Sequence, residues 1–203
     1  TPMKLNIQHL QRAWGGGDKE KLDATFKRVT EILIEQIDSL SRLATEFSSF
    51  AKMPTDQFAD CRIDEILLST IHLFEQSENV EFVYEKNLKP TIVYTDPDQI
   101  GRVFTKKKKN AIQSIPKERE GVIKIQYQLQ LKNLLITITD NGEGMSEDVK
   151  AKIFVPSFST KNSGMGLGLA ISKKIIENSN GRIWFTSEKD KGSSFFVALP
   201  VKG

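Results

Sequence analysis

A helical hairpin followed by one sheet covered on a single face by helices is the fold the sequence predicts: an α/β two-layer sandwich with a helical preface. Three observations predict it. A helical period runs unbroken for more than thirty residues near the amino terminus, apolar residues alternate strictly in the second half, and Pro54 separates the two patterns. At 203 residues the chain has room for one domain of roughly 150 residues or for two small ones. Hydrophobic residues at 38% and charged residues at 27% supply a core and exclude a disordered chain. The single cysteine, Cys61, excludes an internal disulfide framework and a multi-cysteine zinc site. No apolar run approaches the ~18 residues of a membrane span, and no signal peptide is evident. The chain opens on Thr1 rather than Met, as expected of a piece of something longer. A net charge of +3 is too small to imply a nucleic acid partner, and its distribution is uneven, since Lys106 to Lys109 are consecutive.

Met3, Ile7, Leu10 and Trp14 share one helical face, and Gly15-Gly16-Gly17 ends that helix, with Asp18 free to cap the next. Between Lys19 and Met53 there is neither Gly nor Pro, and Leu22, Phe26, Val29, Leu33, Ile37, Leu40, Ala44, Phe47 and Ala51 keep a spacing of three or four. Such a hairpin leaves an apolar seam exposed. Two hairpins covering each other make a four-helix bundle, so residues 1–54 are expected to dimerise; the competing arrangement packs the seam on the rest of the same chain.

Residues 55–203 alternate helix and strand signals. Ile63 to Phe74 has a helical period, Val80 to Tyr84 and Ile92 to Tyr94 are short strands, and Asp96 caps a helix whose first turn holds Pro97. Ile123, Ile125, Tyr127, Leu129 and Leu131 alternate, as do Leu134, Ile136 and Ile138, with Lys132-Asn133 as the tight turn of a hairpin. A helix over Leu169 to Glu177 precedes strands at Ile183 to Ser187 and Ser194 to Leu199, which a charged turn containing Gly192 joins. One sheet with about three helices on one face accounts for this order.

Two glycine clusters carry the chemistry. Asp140-Asn141-Gly142-Glu143-Gly144 lies where a strand runs out, so a carboxylate emerges at the end of a sheet. It can accept a hydrogen bond from an exocyclic amine, while Gly142 and Gly144 let the backbone approach a flat ring. Alone, the pattern is equally that of an Asn-Gly turn. Gly164-Met165-Gly166-Leu167-Gly168 opens a helix, where backbone amides and the helix dipole favour an anion such as phosphate; alone, it is equally a surface loop. Together they outline a nucleotide site. The sequence has no GxxxxGK[ST], no dinucleotide fingerprint and no HRD or DFG set.

Asp140 to Gly144, Phe154-Val155-Pro156-Ser157-Phe158, Gly164 to Gly168 and Gly192-Ser193-Ser194-Phe195 resemble, in order, the first glycine box, the phenylalanine box, the second glycine box and the final glycine motif of bacterial sensor histidine kinases. Asn110-Ala111 after Asp98 resembles the second half of their asparagine box, and Thr1 to Leu5 resembles the segment just past the phosphoacceptor motif in the nitrogen-regulation group. The resemblance implies a mixed sheet of the gyrase, Hsp90 and histidine kinase type, a homodimer through the hairpin, a cytoplasmic location, and relay to a response-regulator receiver domain. It implies ATP and Mg²⁺ as cofactors. Asp140 would bind the adenine amine, Gly142 and Gly144 would shape its pocket, and Asn110 would hold the Mg²⁺. Gly164, Gly166, Leu167 and Gly168 would form the lid, with Lys161 and Ser193 completing the nucleotide site. By this alignment the phosphoacceptor histidine is missing, so no catalytic residue is expected within the chain and autophosphorylation is not expected. His9 and His72 lack the adjacent Glu. Neither nucleic acid nor membrane is an expected partner.

The resemblance breaks at Lys106 to Lys109. Positions 107 and 108 fall on the apolar stripe of their helix, so three outcomes are open: side chains that snorkel to solvent, a displaced helix, or a run that is not natural. Lys106 stands where the family carries the first Asn of the box and where related ATPases carry a catalytic Glu, which disfavours water-activated ATP hydrolysis. A non-catalytic nucleotide-binding or dimerisation module is therefore the alternative function.

Overall fold

A computed structural model of the chain describes residues 2–15, 19–51, 57–73, 79–84, 90–160 and 166–202. These fall into two compact units, one helical and one mixed, the second beginning for the described residues at Gln57. Helices α1 (Pro2–Gly15) and α2 (Lys19–Ala51) make the first. Leu5, Trp14, Phe26, Ile34, Ile37 and Leu40 on them are each more than half exposed. The expected cap at Asp18 and the glycines at 16 and 17 lie outside the described residues, as does Phe74 at the end of the next expected helix.

The second unit runs β1 (Ala59–Arg62), α3 (Ile63–His72), β2 (Val80–Tyr84), β3 (Ile92–Thr95), α4 (Pro97–Ser114), β4 (Gly121–Gln130), β5 (Asn133–Asp140), α5 (Glu147–Lys150), α6 (Gly168–Asn178), β6 (Arg182–Glu188) and β7 (Gly192–Pro200). The main sheet has the order β2-β4-β5-β7-β6. β2 is parallel to β4 and the other pairs are antiparallel, so the sheet is mixed. The expectation of a single sheet is corrected in one respect. β3 leaves the main sheet and pairs antiparallel with β1, a strand whose only buried residue is Cys61 and which carries no apolar alternation to announce it.

Alternation explains the layering. Ile123 and Ile125 of β4, Leu134, Ile136 and Ile138 of β5, Ile183 of β6, and Val197 and Leu199 of β7 point to one face. There they join Ile63, Leu67 and Ile71 of α3, Ile100, Val103, Phe104 and Ala111 of α4, and Ile175 and Ile176 of α6 in one core. The opposite face carries Trp184 stacked on Phe196, with centroids 5.3 Å apart.

The β4–β5 turn falls one residue earlier than expected. Tyr127 pairs with Ile136, Leu129 with Leu134 and Gln130 with Asn133, so Asn133 belongs to the ladder and Leu131-Lys132 form the turn. Cross-strand apolar pairs fix this register, which leaves Leu131 at φ +54 and 98% exposed. α4 starts where its cap requires. Asp96 accepts from Asp98 N and Gln99 N at 3.0 Å each, and Pro97 takes the first turn.

Candidate functional site

β5 delivers Asp140, 5% exposed, to the end of the sheet. Its Oδ1 accepts from Gly142 N at 3.0 Å. Ser114, the last residue of α4, has its Oγ 3.1 Å from the same oxygen and 2.7 Å from Ala111 O, so one hydroxyl proton serves both acceptors. The loop after Asp140 passes tightly beneath the end of α4. A Cβ at Gly142 would overlap Ser114 Oγ and stand 2.6 Å from Ser114 O, so only glycine fits. Ser114 O in turn accepts from Glu143 N at 2.8 Å. Gly144 has φ +64 and lies against Glu188 O of β6, where a side chain has no room. The Asn141 side chain accepts from Val122 N at 2.8 Å and donates to Glu120 O at 2.9 Å. Ser193 stands opposite Asp140 in the β5–β7 ladder, buried, with its Oγ 3.0 Å from Ser187 Oγ. Asp140, Gly142, Gly144 and Ser193 thus meet at one end of the sheet.

α4 leads away from that end. Ser114, Asn110 and Lys106 are spaced four apart and share one helical stripe. The stripe spans about 12 Å at the helical rise, the scale of a nucleoside triphosphate. At its far end the Lys106 stem lies on Gly168: a Cβ there would be 3.4 Å from Lys106 Cδ and 3.2 Å from Nζ. The ammonium therefore sits at the amino end of α6, which Gly168 opens after buried Leu167, with Gly166 at φ +68. Asn110 is half-buried. Lys161 and Gly164 lie outside the described residues.

Lys107 and Lys108 correct two of the outcomes open from sequence. α4 is continuous and keeps Ile100, Val103, Phe104 and Ala111 in the core, and neither side chain snorkels: they are 2% and 0% exposed. Lys107 Nζ has no hydrogen-bond partner and lies 4.0 Å from the Phe195 centroid and 5.6 Å from that of Phe154. The ring faces offer partial compensation through their quadrupoles. Lys108 Nζ donates to Thr70 Oγ1 at 2.6 Å. Burial pushes both amines down to about 7, because desolvation disfavours the charged form.

Among the described residues no three His, Cys, Asp or Glu side chains gather as a metal cage. Mg²⁺ carried by a nucleotide needs only one or two protein oxygens beside phosphates and water, a requirement that the amide oxygen of half-buried Asn110 fits. Sequence reasoning missed Ser114 and Arg119. Ser114 was legible as the next residue of the Lys106–Asn110 stripe; Arg119, in the polar loop 116–120, carried no signal.

This geometry has a family. Residues 95–203, more than half of the chain, match the histidine kinase-, DNA gyrase B-, and HSP90-like ATPases, and the chain belongs to that family. Within it the chain carries a catalytic domain of the histidine kinase kind. Sporulation kinase E of Bacillus subtilis (strain 168) is 30% identical over 189 residues, covering 91% of this chain and 25% of that protein. Nitrogen regulation protein NtrY of Azorhizobium caulinodans is 28% identical over 208 residues, covering 100% of this chain and 27% of that protein. The chain thus spans about a quarter of the length of these relatives. The solved catalytic domain of histidine kinase ThkA superposes with a TM-score of 0.63 at 30% identity, covering 71% of this chain and 95% of that one. The structure of ThkA in complex with the response regulator TrrA gives 0.71 at 25% identity, covering 100% of this chain and 58% of that one. No helix among the described residues is long and apolar enough to cross a membrane.

Proposed function

We propose that the chain is the ATP-binding catalytic part of a two-component sensor histidine kinase of the nitrogen-regulation group. Residues 1–54 form its dimerisation and phosphotransfer hairpin, which pairs with a second copy as a four-helix bundle, and residues 55–203 form its catalytic domain. One observation carries the reading: buried Asp140 at a strand end, joined through Ser114 to a helical stripe that runs to the amino end of α6. Asp140 accepts the adenine amine, while Gly142, Gly144 and Ser193 shape the base pocket. Gly164, Gly166, Leu167, Gly168 and Lys161 close over the phosphates. Asn110 would hold Mg²⁺, which supplies charge neutralisation when bound. Phosphoryl transfer needs positioning and charge neutralisation more than a protein nucleophile, so the γ-phosphoryl group goes to a histidine that is neither His9 nor His72, and then to a response-regulator aspartate. The ThkA–TrrA complex supports a receiver domain as partner. The location is cytoplasmic.

A second reading, a nucleotide-binding module without catalysis, is favoured by the Lys106 ammonium one turn from Asn110, where it competes with a metal. Calorimetric titration of ADP and ATP with and without Mg²⁺ separates the two. A kinase binds ATP more tightly with Mg²⁺, whereas a module shows no Mg²⁺ dependence. Failure to bind either nucleotide contradicts both.

A further inference from the structure

The Asp140 carboxylate is held by a peptide group that is itself held. The peptide joining Asn141 to Gly142 donates its N–H to Asp140 Oδ1 at 3.0 Å. The carbonyl of that same peptide, Asn141 O, accepts from Arg119 Nη1 at 2.6 Å. The guanidinium nitrogen also reaches Gly142 O at 2.9 Å and, across to the β6–β7 turn, Asp190 O at 3.4 Å. A cation at the carbonyl end of a peptide polarises it and strengthens donation from its N–H end. A planar guanidinium also fixes direction, which a lysine ammonium does not. Asn141 is tied to Val122 N and Glu120 O through its side chain and to Val122 O through its own N–H, so the flanks of the peptide are anchored, and Arg119 holds its carbonyl end. We propose that Arg119 is a positioning residue for base recognition: it orients and polarises the Asn141–Gly142 peptide so that Asp140 presents its carboxylate to the exocyclic amine of adenine.

This proposal rests on the reading of Asp140 as the base acceptor. Arg119 directs its hydrogen bonds to main-chain carbonyls and acts through Asp140, so its loss alters discrimination between bases and spares phosphate binding. ADP, GDP and inorganic triphosphate are titrated into the full chain and into Arg119→Ala, Arg119→Gln and Arg119→Lys. GDP offers a carbonyl where ADP offers an amine, so the unaltered chain prefers ADP. Arg119→Ala is expected to weaken ADP about tenfold, the scale of a charge-assisted hydrogen bond. It also narrows the ADP-to-GDP ratio and leaves triphosphate affinity unchanged. Arg119→Lys restores part of the ratio. Arg119→Gln, which keeps a neutral donor, gives the same readout should the alanine variant not fold. An ADP-to-GDP ratio in the Ala and Gln variants equal to that of the unaltered chain overturns the role of Arg119 alone. No ADP binding by the unaltered chain overturns the base-acceptor reading and this proposal together.

Discussion

Lys107 holds an amine in the core with no hydrogen-bond partner, against the faces of Phe195 and Phe154. Its pKa falls to about 7, whereas the unfolded chain keeps about 10.4. Between those values the unfolded state binds a proton that the folded state lacks, so stability rises with pH at up to about 1.4 kcal/mol per unit. Below about 7 both states carry the proton, and the full desolvation cost is present. The denaturation midpoint is therefore expected to climb from pH 7 to pH 9.5. Lys107→Met, of similar volume, should stabilise the chain at pH 7 and remove its part of that climb. A flat profile in the unaltered chain, or destabilisation by methionine, would show that the amine is not buried in its neutral form. The sequence showed that positions 107 and 108 belong to an apolar stripe. It could not show that long alkyl stems would follow the stripe inward and give up their charge rather than bend the helix.

At the scale of the element, α4 links Asp140, through Ser114, to the amino end of α6, through Lys106, and its start is the part most legible in sequence. Burial pushes the Asp96 carboxyl up, but donors from Gln57, Gln99 and Asp98 outweigh it and hold its pKa below the usual range. Its cap therefore stabilises fully above about pH 4 and weakens as pH falls through the lower folded value. Asp96→Ala should cost about 1–2 kcal/mol by urea denaturation at pH 7; an unchanged midpoint would show that the cap is idle. At the other end of α4, Gly142→Ala drives a methyl into Ser114 Oγ and the Ser114 carbonyl and is expected to abolish ADP binding and to lower the denaturation midpoint as well. Normal ADP affinity in that variant would show that the loop is free to move. The β4–β5 hairpin was legible because its alternation is strict, yet its turn was displaced by a residue. Leu131 continues the apolar pattern, and only cross-strand pairing places it in the turn. β1 was invisible for the opposite reason: a four-residue edge strand with one buried side chain has almost no pattern to read.

Across the whole molecule, the two units differ in how they meet their apolar surface. Residues from Gln57 onward enclose a core between one sheet face and α3, α4 and α6, whereas α1 and α2 leave Trp14, Phe26, Ile34, Ile37 and Leu40 more than half exposed. A dimer that covers this seam is expected at micromolar concentration by light scattering, and a molar mass of 22.9 kDa would rule it out. The places of Gly142, Gly144 and Gly166 were legible because close backbone approach demands glycine. The Arg119, Asn141 and Ser114 contacts were not, since they join polar residues from separate loops and helix ends that only the packed fold brings together. All of the functional reading depends on a nucleotide base docking at Asp140 with its phosphates toward Gly168. Amide chemical shifts of the labelled chain during ADP addition report on that docking residue by residue. The largest shifts are expected at residues 140–144, at Ser193 and at 166–168. Saturable shifts confined elsewhere, such as the Arg102 and Lys109 side of α4, or no shifts at millimolar ADP, would contradict it.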